Sequence, residues 1–152
     1  MTITTALCTS FLKELMTATH DFTASTGHAF KLGLIKDAET GTYSAATTAY
    51  SDVTGNSDEV ANGNGYTTGG VTMTNVTPTT SGTTALTDFS NDAQWTSATF
   101  DIDGCFLYND TAAGDPMVFV YDTGSQSVAS GTLTITMPAA DASNAIIRIA
   151  PA

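Results

Sequence analysis

Basic residues are nearly missing from this chain. Its 152 residues hold four lysines and arginines against fifteen aspartates and glutamates, and the formal net charge is −11. Lys13, Lys31, Lys36 and Arg148 are scattered along the sequence, so no cationic patch can displace counterions from a phosphate backbone. Nucleic acid and anionic membrane surfaces are both disfavoured as partners. A basic protein surface remains compatible, and the excess charge favours solubility. Charged residues of both signs are only 12% of the chain, about half the usual ~25%. Thr, Ser, Asn and Gly must therefore cover most of the surface.

Cysteine is also scarce. Cys8 and Cys105 are too few for a disulfide scaffold. They read as two small buried hydrophobes, with a single bridge between them as the alternative. No apolar run approaches the ~18 residues of a membrane-spanning helix. Met1-Thr2-Ile3-Thr4 carries no basic segment ahead of an apolar one, so no secretion leader is expected.

Threonine is what the chain has in excess, with 30 residues. Its β-branch stiffens χ1 and fits a pleated, half-solvated strand better than a helix interior. A chain of this length is most simply one domain, residues 1–152, and can bury roughly 70% of its unfolded surface. Regular apolar runs argue against the disorder that a polar, acidic composition otherwise implies.

One helix is expected, over residues 1–20. Leu7, Phe11 and Leu15 recur every four residues, as do Cys8, Leu12 and Met16, with Thr4 or Thr5 as N-cap and an end near Thr19. Its apolar side packs on the domain's own sheet or serves as a docking surface. The period then changes to two. Phe30, Leu32 and Leu34 share one face of a strand. Residues 37–70 read as loop-rich. Asp37 to Gly41 forms a turn, Asn62-Gly63-Asn64-Gly65 and Gly69-Gly70 are further turns, and short extended pieces lie at Ala49-Tyr50 and at Gly65 to Thr68. Strands follow at 71–74, 86–89, 95–102, 105–108, 117–121, 131–137 and 145–150. In the sixth of these, Leu133, Ile135 and Met137 point inward and Thr132, Thr134 and Thr136 outward. Gly104 sits where the apolar parity switches, which predicts a bulge. Seven or eight short strands with turns between them predict a mainly β fold, an antiparallel β-sandwich or jelly roll with one N-terminal amphipathic helix.

Chemistry-bearing patterns are sparse. Asp101-Ile102-Asp103-Gly104 begins like a calcium loop, but Ala112 stands where the closing glutamate belongs. The same two carboxylates could form an acid/base pair, although a solvated strand face accounts for them as well. His20-Asp21 and His28 lack the further ligands zinc needs and any recognisable nucleophile. Gly63-Asn64-Gly65 has neither the lysine nor the helix of a phosphate loop. Asn75-Val76-Thr77 and Asn109-Asp110-Thr111 match glycosylation triplets by pattern only. No cofactor, metal site or enzymatic activity is expected. Trp95, Tyr50, Tyr66 and Tyr121 could build a sugar platform, but core and interface roles suit them better. Leu7, Phe11, Leu15, Tyr50 and Tyr66 are the expected interface residues.

Several segments resemble small virion proteins of tailed bacteriophages. They are Met1-Thr2-Ile3-Thr4-Thr5-Ala6-Leu7-Cys8-Thr9-Ser10-Phe11, His20-Asp21-Phe22 leading into Phe30-Lys31-Leu32, Thr47-Thr48-Ala49-Tyr50, Gly65-Tyr66-Thr67-Thr68-Gly69-Gly70, and the tail from Met137 to Ile149. The resemblance implies a non-enzymatic structural component of the virion, assembled in the host cytoplasm. Combined with the acidic charge, it points to the outer surface of the head, as a decoration or cement protein. Its partners would be the major capsid protein, other virion proteins and its own copies, with a trimer favoured. A tail or head–tail component, such as an adaptor or fibre-associated module, is the first alternative. A carbohydrate-binding β-sandwich is the second.

Overall fold

The alternation that begins at Phe30 becomes the middle of a five-stranded sheet in the computed structural model, which describes residues 2–151. In chain order the elements are β1 (Thr2–Ile3), β2 (Ala6–Leu7), α1 (Thr9–Met16), β3 (Phe30–Lys36), β4 (Thr42–Tyr43), α2 (Tyr50–Gly55), β5 (Val71–Met73), β6 (Thr79–Ser81), β7 (Thr84–Thr87), β8 (Ala93–Asn109), β9 (Met117–Ile135) and β10 (Ile147–Ile149). The large sheet has the order β2-β9-β8-β3-β5 and is antiparallel throughout. A smaller antiparallel sheet has the order β10-β7-β6, and β1 pairs with β4 in parallel. The fold is thus mainly β with antiparallel sheets, as expected, and one core cluster runs from Ile3 to Ile147.

The dominant feature is a hairpin that the sequence divides into four pieces. The expected strands 95–102 and 105–108 are one strand, β8. The expected strands 117–121 and 131–137 are likewise the two ends of β9. Bulges explain the apparent breaks. Between Ile102/Gly104 of β8 and Asp122/Gln126 of β9 the register shifts, and the same point shifts the β3–β8 ladder at Ile35/Lys36. The expected bulge beside Gly104 is therefore present. Gly124 (φ 64) lies within that same shift in β9, and Ser130 (φ 49) of β9 and Ser97 (φ 52) of β8 lie at or beside further ones. Each bulge inserts residues that reset which face the next side chain occupies, so a period-two pattern appears to stop.

Both faces of the sheet are covered at the turn end of this hairpin. Phe30, Leu32 and Leu34 share a face with Asn109, Leu107 and Cys105, their cross-strand partners. Phe22 stacks on Phe30 at 4.5 Å between ring centroids, Phe89 tilts against Phe30 at 5.6 Å, and Phe11 meets Phe22 edge-on at 6.2 Å. On the other face, Tyr50 stacks on Tyr108 at 4.4 Å and on Phe106 at 5.7 Å. That double coverage is why Gly104 to Asn109 is buried without alternation.

The N-terminal helix is shorter than expected. Residues 2–7 are extended, because Ala6 and Leu7 pair with Val120 and Phe119 of β9 and the Thr4 N–H donates to the Tyr43 carbonyl at 2.8 Å. Pairing with an existing sheet outweighs the helical spacing. The N-cap is Cys8, with no side-chain cap bond, in place of Thr4 or Thr5, and α1 ends at Met16. Residues 37–70 are also more ordered than a loop. The expected extended piece at Ala49-Tyr50 is half wrong: Ala49 bridges to Pro116, but Tyr50 opens α2. Asp52 stabilises that helix start by accepting the Thr48 and Ala49 N–H groups at 2.7 and 3.2 Å. Residues 58–60 extend the β3 edge past β5, through Lys36 N–H to the Asp58 carbonyl (2.9 Å) and Val60 N–H to the Leu34 carbonyl (3.1 Å). At the Gly69-Gly70 turn, Gly70 has φ +80, and a Cβ there would lie 2.0 Å from the Leu32 carbonyl oxygen. Only glycine fits that approach.

Candidate contact surfaces

The five residues expected at an interface do not form one surface. Phe11 is fully buried under the sheet with Phe22 and His20, and Tyr66 is buried against Trp95 and Phe100. Both belong to the core of the single chain, which is a correction to the expected contacts. Tyr50 is half-buried at the start of α2, with its ring committed to Tyr108 and Phe106 and its hydroxyl to Glu59. Leu7 is half-buried in β2 and lines a groove. Leu15 is half-buried and lines a second recess with Phe22, Leu86 and Ile147.

The outward side of α1 is the contact feature that survives. Phe11 faces the core, so Leu12 and Met16 on the stripe one residue on face out, while Cys8 at its start stays buried. Leu12 is 46% exposed and Met16 is 82% exposed, one helical turn apart. The period-four pattern of Cys8, Leu12 and Met16 was legible in the sequence, but which of its two apolar stripes the core takes was not. Tyr121 (48%) and Ile149 (59%) are the other large apolar side chains in solvent among the described residues. Tyr121 borders a groove of about 640 Å³ between the start of β9 and the segment 134–138, lined also by Leu7, Phe119, Ile135 and Met137.

Asp88 is fully buried and accepts the Phe89 and Ile146 N–H groups at 2.7 and 3.0 Å. The Ser10 hydroxyl and the Asn75 amide oxygen are buried with no partner among the described residues. Besides these, polar groups gather in three clusters. In the first, Asn109 is fully buried. Its amide nitrogen donates to Nδ1 of His20 (3.0 Å) and Nδ1 of His28 (2.9 Å), and its oxygen accepts the Thr111 and Ala112 N–H groups at 3.0 and 3.1 Å. Nε2 of His20 then donates to Glu14 at 2.9 Å. To accept, Nδ1 of His20 carries no proton, which leaves its hydrogen on Nε2 facing Glu14. Burial lowers the His20 pKa, outweighing the opposing pull of Glu14.

In the second cluster, the buried Asp58 carboxylate accepts from the Tyr43 hydroxyl (2.7 Å), the Gly41 N–H (2.7 Å) and the Thr40 N–H (2.9 Å). Burial alone would raise its pKa, but these donors together hold it below the usual carboxylate value. In the third, Glu59 accepts from the Tyr50 and Tyr66 hydroxyls and from the Gly69 N–H. Burial, then Glu59, raises the pKa of both tyrosines. The Asp58 and Glu59 clusters were not visible in the sequence, because the turns and loop that fold over the sheet edge bring their partners together.

Of the candidate chemical residues, His20 and His28 are brought together, through the Asn109 amide. Asp101 is exposed and Asp103 half-buried on β8. Among the described residues no three His, Cys, Asp or Glu side chains gather where they could hold a metal ion. Cys8 and Cys105 are free and buried, and burial pushes both thiols up to about 12. They are neutral thiols at physiological pH and poor nucleophiles. Trp95 and Tyr66 are buried together, and Tyr50 and Tyr121 lie elsewhere, so the four do not make one sugar platform. Among the described residues no helix is long and apolar enough to cross a membrane. Comparison of the chain with protein-family models, with curated proteins and with solved structures finds no match.

Proposed function

We propose that this chain is a non-enzymatic structural protein of a tailed-bacteriophage virion, acting as a decoration or cement protein on the outer face of the head. Support comes from the resemblance at both chain ends and in the middle, and from the −11 charge, which suits the side of a shell away from packaged DNA. The observation that carries the reading is the outward Leu12–Met16 pair on a helix whose opposite side is anchored in the core. A rigid helix presenting two adjacent apolar side chains is suited to seating in a hydrophobic groove of a partner. Binding would stabilise the shell by mass action, because the contact exists only in the assembled state.

The test is binding of purified chain to particles of the encoding phage from which it has been stripped or deleted. Leu12→Asp combined with Met16→Asp places charges on exposed positions and leaves the core intact, so folding persists by circular dichroism while particle binding is lost. Undiminished binding of the folded double variant contradicts the helix docking. Deleting residues 1–19 is not a usable test, because it removes β1, β2 and the buried Phe11.

A further inference from the structure

The outer edge of β9 is open over its second half. β2 pairs only with Phe119 and Val120, and Asp122 and Gly124 are tied down locally through Thr5 and the Asp122 carboxylate. From Ser125 to Ile135 the strand pairs with β8 on one side and, among the described residues, with no strand on the other. Natural edges are commonly blocked by lysine, proline or a covering segment. This one carries neither residue between Met117 and Met137. The β5 edge of the same sheet is treated differently. There the Asn91 amide nitrogen donates to the Thr72 carbonyl at 3.3 Å, and its oxygen accepts the Thr74 N–H at 2.5 Å.

Charge says which partner the open edge suits. Residues 123–140 contain no Asp, Glu, Lys, Arg or His, and neither do residues 93–100 of the strand beside them. A chain of net charge −11 repels its own copies wherever carboxylates face each other, and here they do not. A basic partner would be drawn to the carboxylates elsewhere on the surface and would gain nothing at this edge. The end of the strand, Gly131-Thr132-Leu133-Thr134-Ile135, alternates exposed threonine with half-buried leucine and isoleucine. Its β-propensity, lack of charge and lack of proline make it a self-complementary pairing segment. The groove bordered by Tyr121 and lined by Ile135 and Met137 lies alongside.

We propose that this edge is a homotypic interface, in which the Gly131–Ile135 segment of β9 pairs antiparallel with the same segment of a second copy of this chain. A contact made by one segment on both copies closes after two. The edge therefore points to a two-fold pair, where the sequence led us to expect a trimer. The inference stands independently of the virion reading.

Sedimentation equilibrium of the purified chain tests it. The expected mass is twice the 15.6 kDa of one chain. Raising salt leaves association unchanged or strengthens it, because the contact holds no ion pair and the surrounding carboxylates become screened. Thr132→Lys with Thr134→Lys adds like charges at exposed positions across the two-fold and weakens dimerisation at least about tenfold. Thr80→Lys with Thr83→Lys, at exposed positions of β6 and the turn after it, adds the same two charges, leaves it intact and controls for net charge. Circular dichroism and the melting temperature report that each variant is folded. A chain that stays monomeric throughout, that forms trimers, or whose dimer survives the two lysines overturns the proposal.

Discussion

Replacing Asp58 with alanine is expected to be among the most damaging single substitutions in this protein. The carboxylate is fully buried and accepts from the Tyr43 hydroxyl and two backbone N–H groups at 2.7–2.9 Å. Tyr43 is itself buried, so its hydroxyl loses an acceptor that water cannot easily replace. Hydrogen bonds to a charged group contribute about 1.5–3 kcal/mol each, and their sum is reduced because the Thr40 and Gly41 donors can rehydrate. The Lys36 ammonium, 3.5 Å away and partly in solvent, adds little. A loss of about 3–4 kcal/mol results, or roughly 6–16 °C in melting temperature for a domain of this size.

The pH dependence follows from the lowered pKa of Asp58. The unfolded carboxyl takes up a proton near its model value of 3.8, while the folded one resists protonation to lower pH. The stabilisation is therefore complete above that value and is lost as pH falls through the folded pKa. Thermal melts followed by circular dichroism between neutral pH and pH 3 give both quantities. The alanine variant melts lower at neutral pH and loses less on acidification than the wild type. A variant within about 1 kcal/mol of wild type at neutral pH would refute the argument that this carboxylate holds the 37–41 turn to the β3 edge.

Two further predictions concern elements far from that turn. The His20–Asn109–His28 cluster predicts a second acid-sensitive step. Because the folded His20 pKa is lowered from its model value of 6.5, its contribution is complete above that pH and fades as pH falls through the folded value. His20→Gln flattens the melting-temperature profile across this window, and an unchanged slope would contradict the neutral-imidazole assignment. Gly70→Ala, which places a Cβ against the Leu32 carbonyl at positive φ, is expected to cost at least about 2 kcal/mol in urea unfolding; a neutral result would contradict the close approach.

Legibility in the sequence tracked how local each determinant is. The strand at Phe30 to Leu34, the turns at Asp37–Gly41 and Asn62–Gly65, and the bulge at Gly104 were readable because each rests on a few adjacent residues. The continuity of β8 and β9 was not, since Gly124, Ser130 and Ser97 carry turn-like conformations that here only bend a strand. The helix was overextended because Thr2 to Leu7 owe their conformation to β4 and β9, more than thirty and more than a hundred residues away respectively. Phe11 and Tyr66 looked like surface anchors for a similar reason. Spacing shows that apolar side chains share a stripe but not which stripe the core claims, and α1 buries Phe11 while leaving Leu12 and Met16 in solvent.

Locating the chain in a cryo-electron-microscopy reconstruction of the intact particle tests the central claim most directly. The account predicts many symmetry-related copies on the outer surface of the head, with α1 turned so that Leu12 and Met16 meet the capsid. A few copies confined to the tail or the head–tail junction would contradict the decoration reading, and absence from the particle would contradict a structural role in the virion altogether.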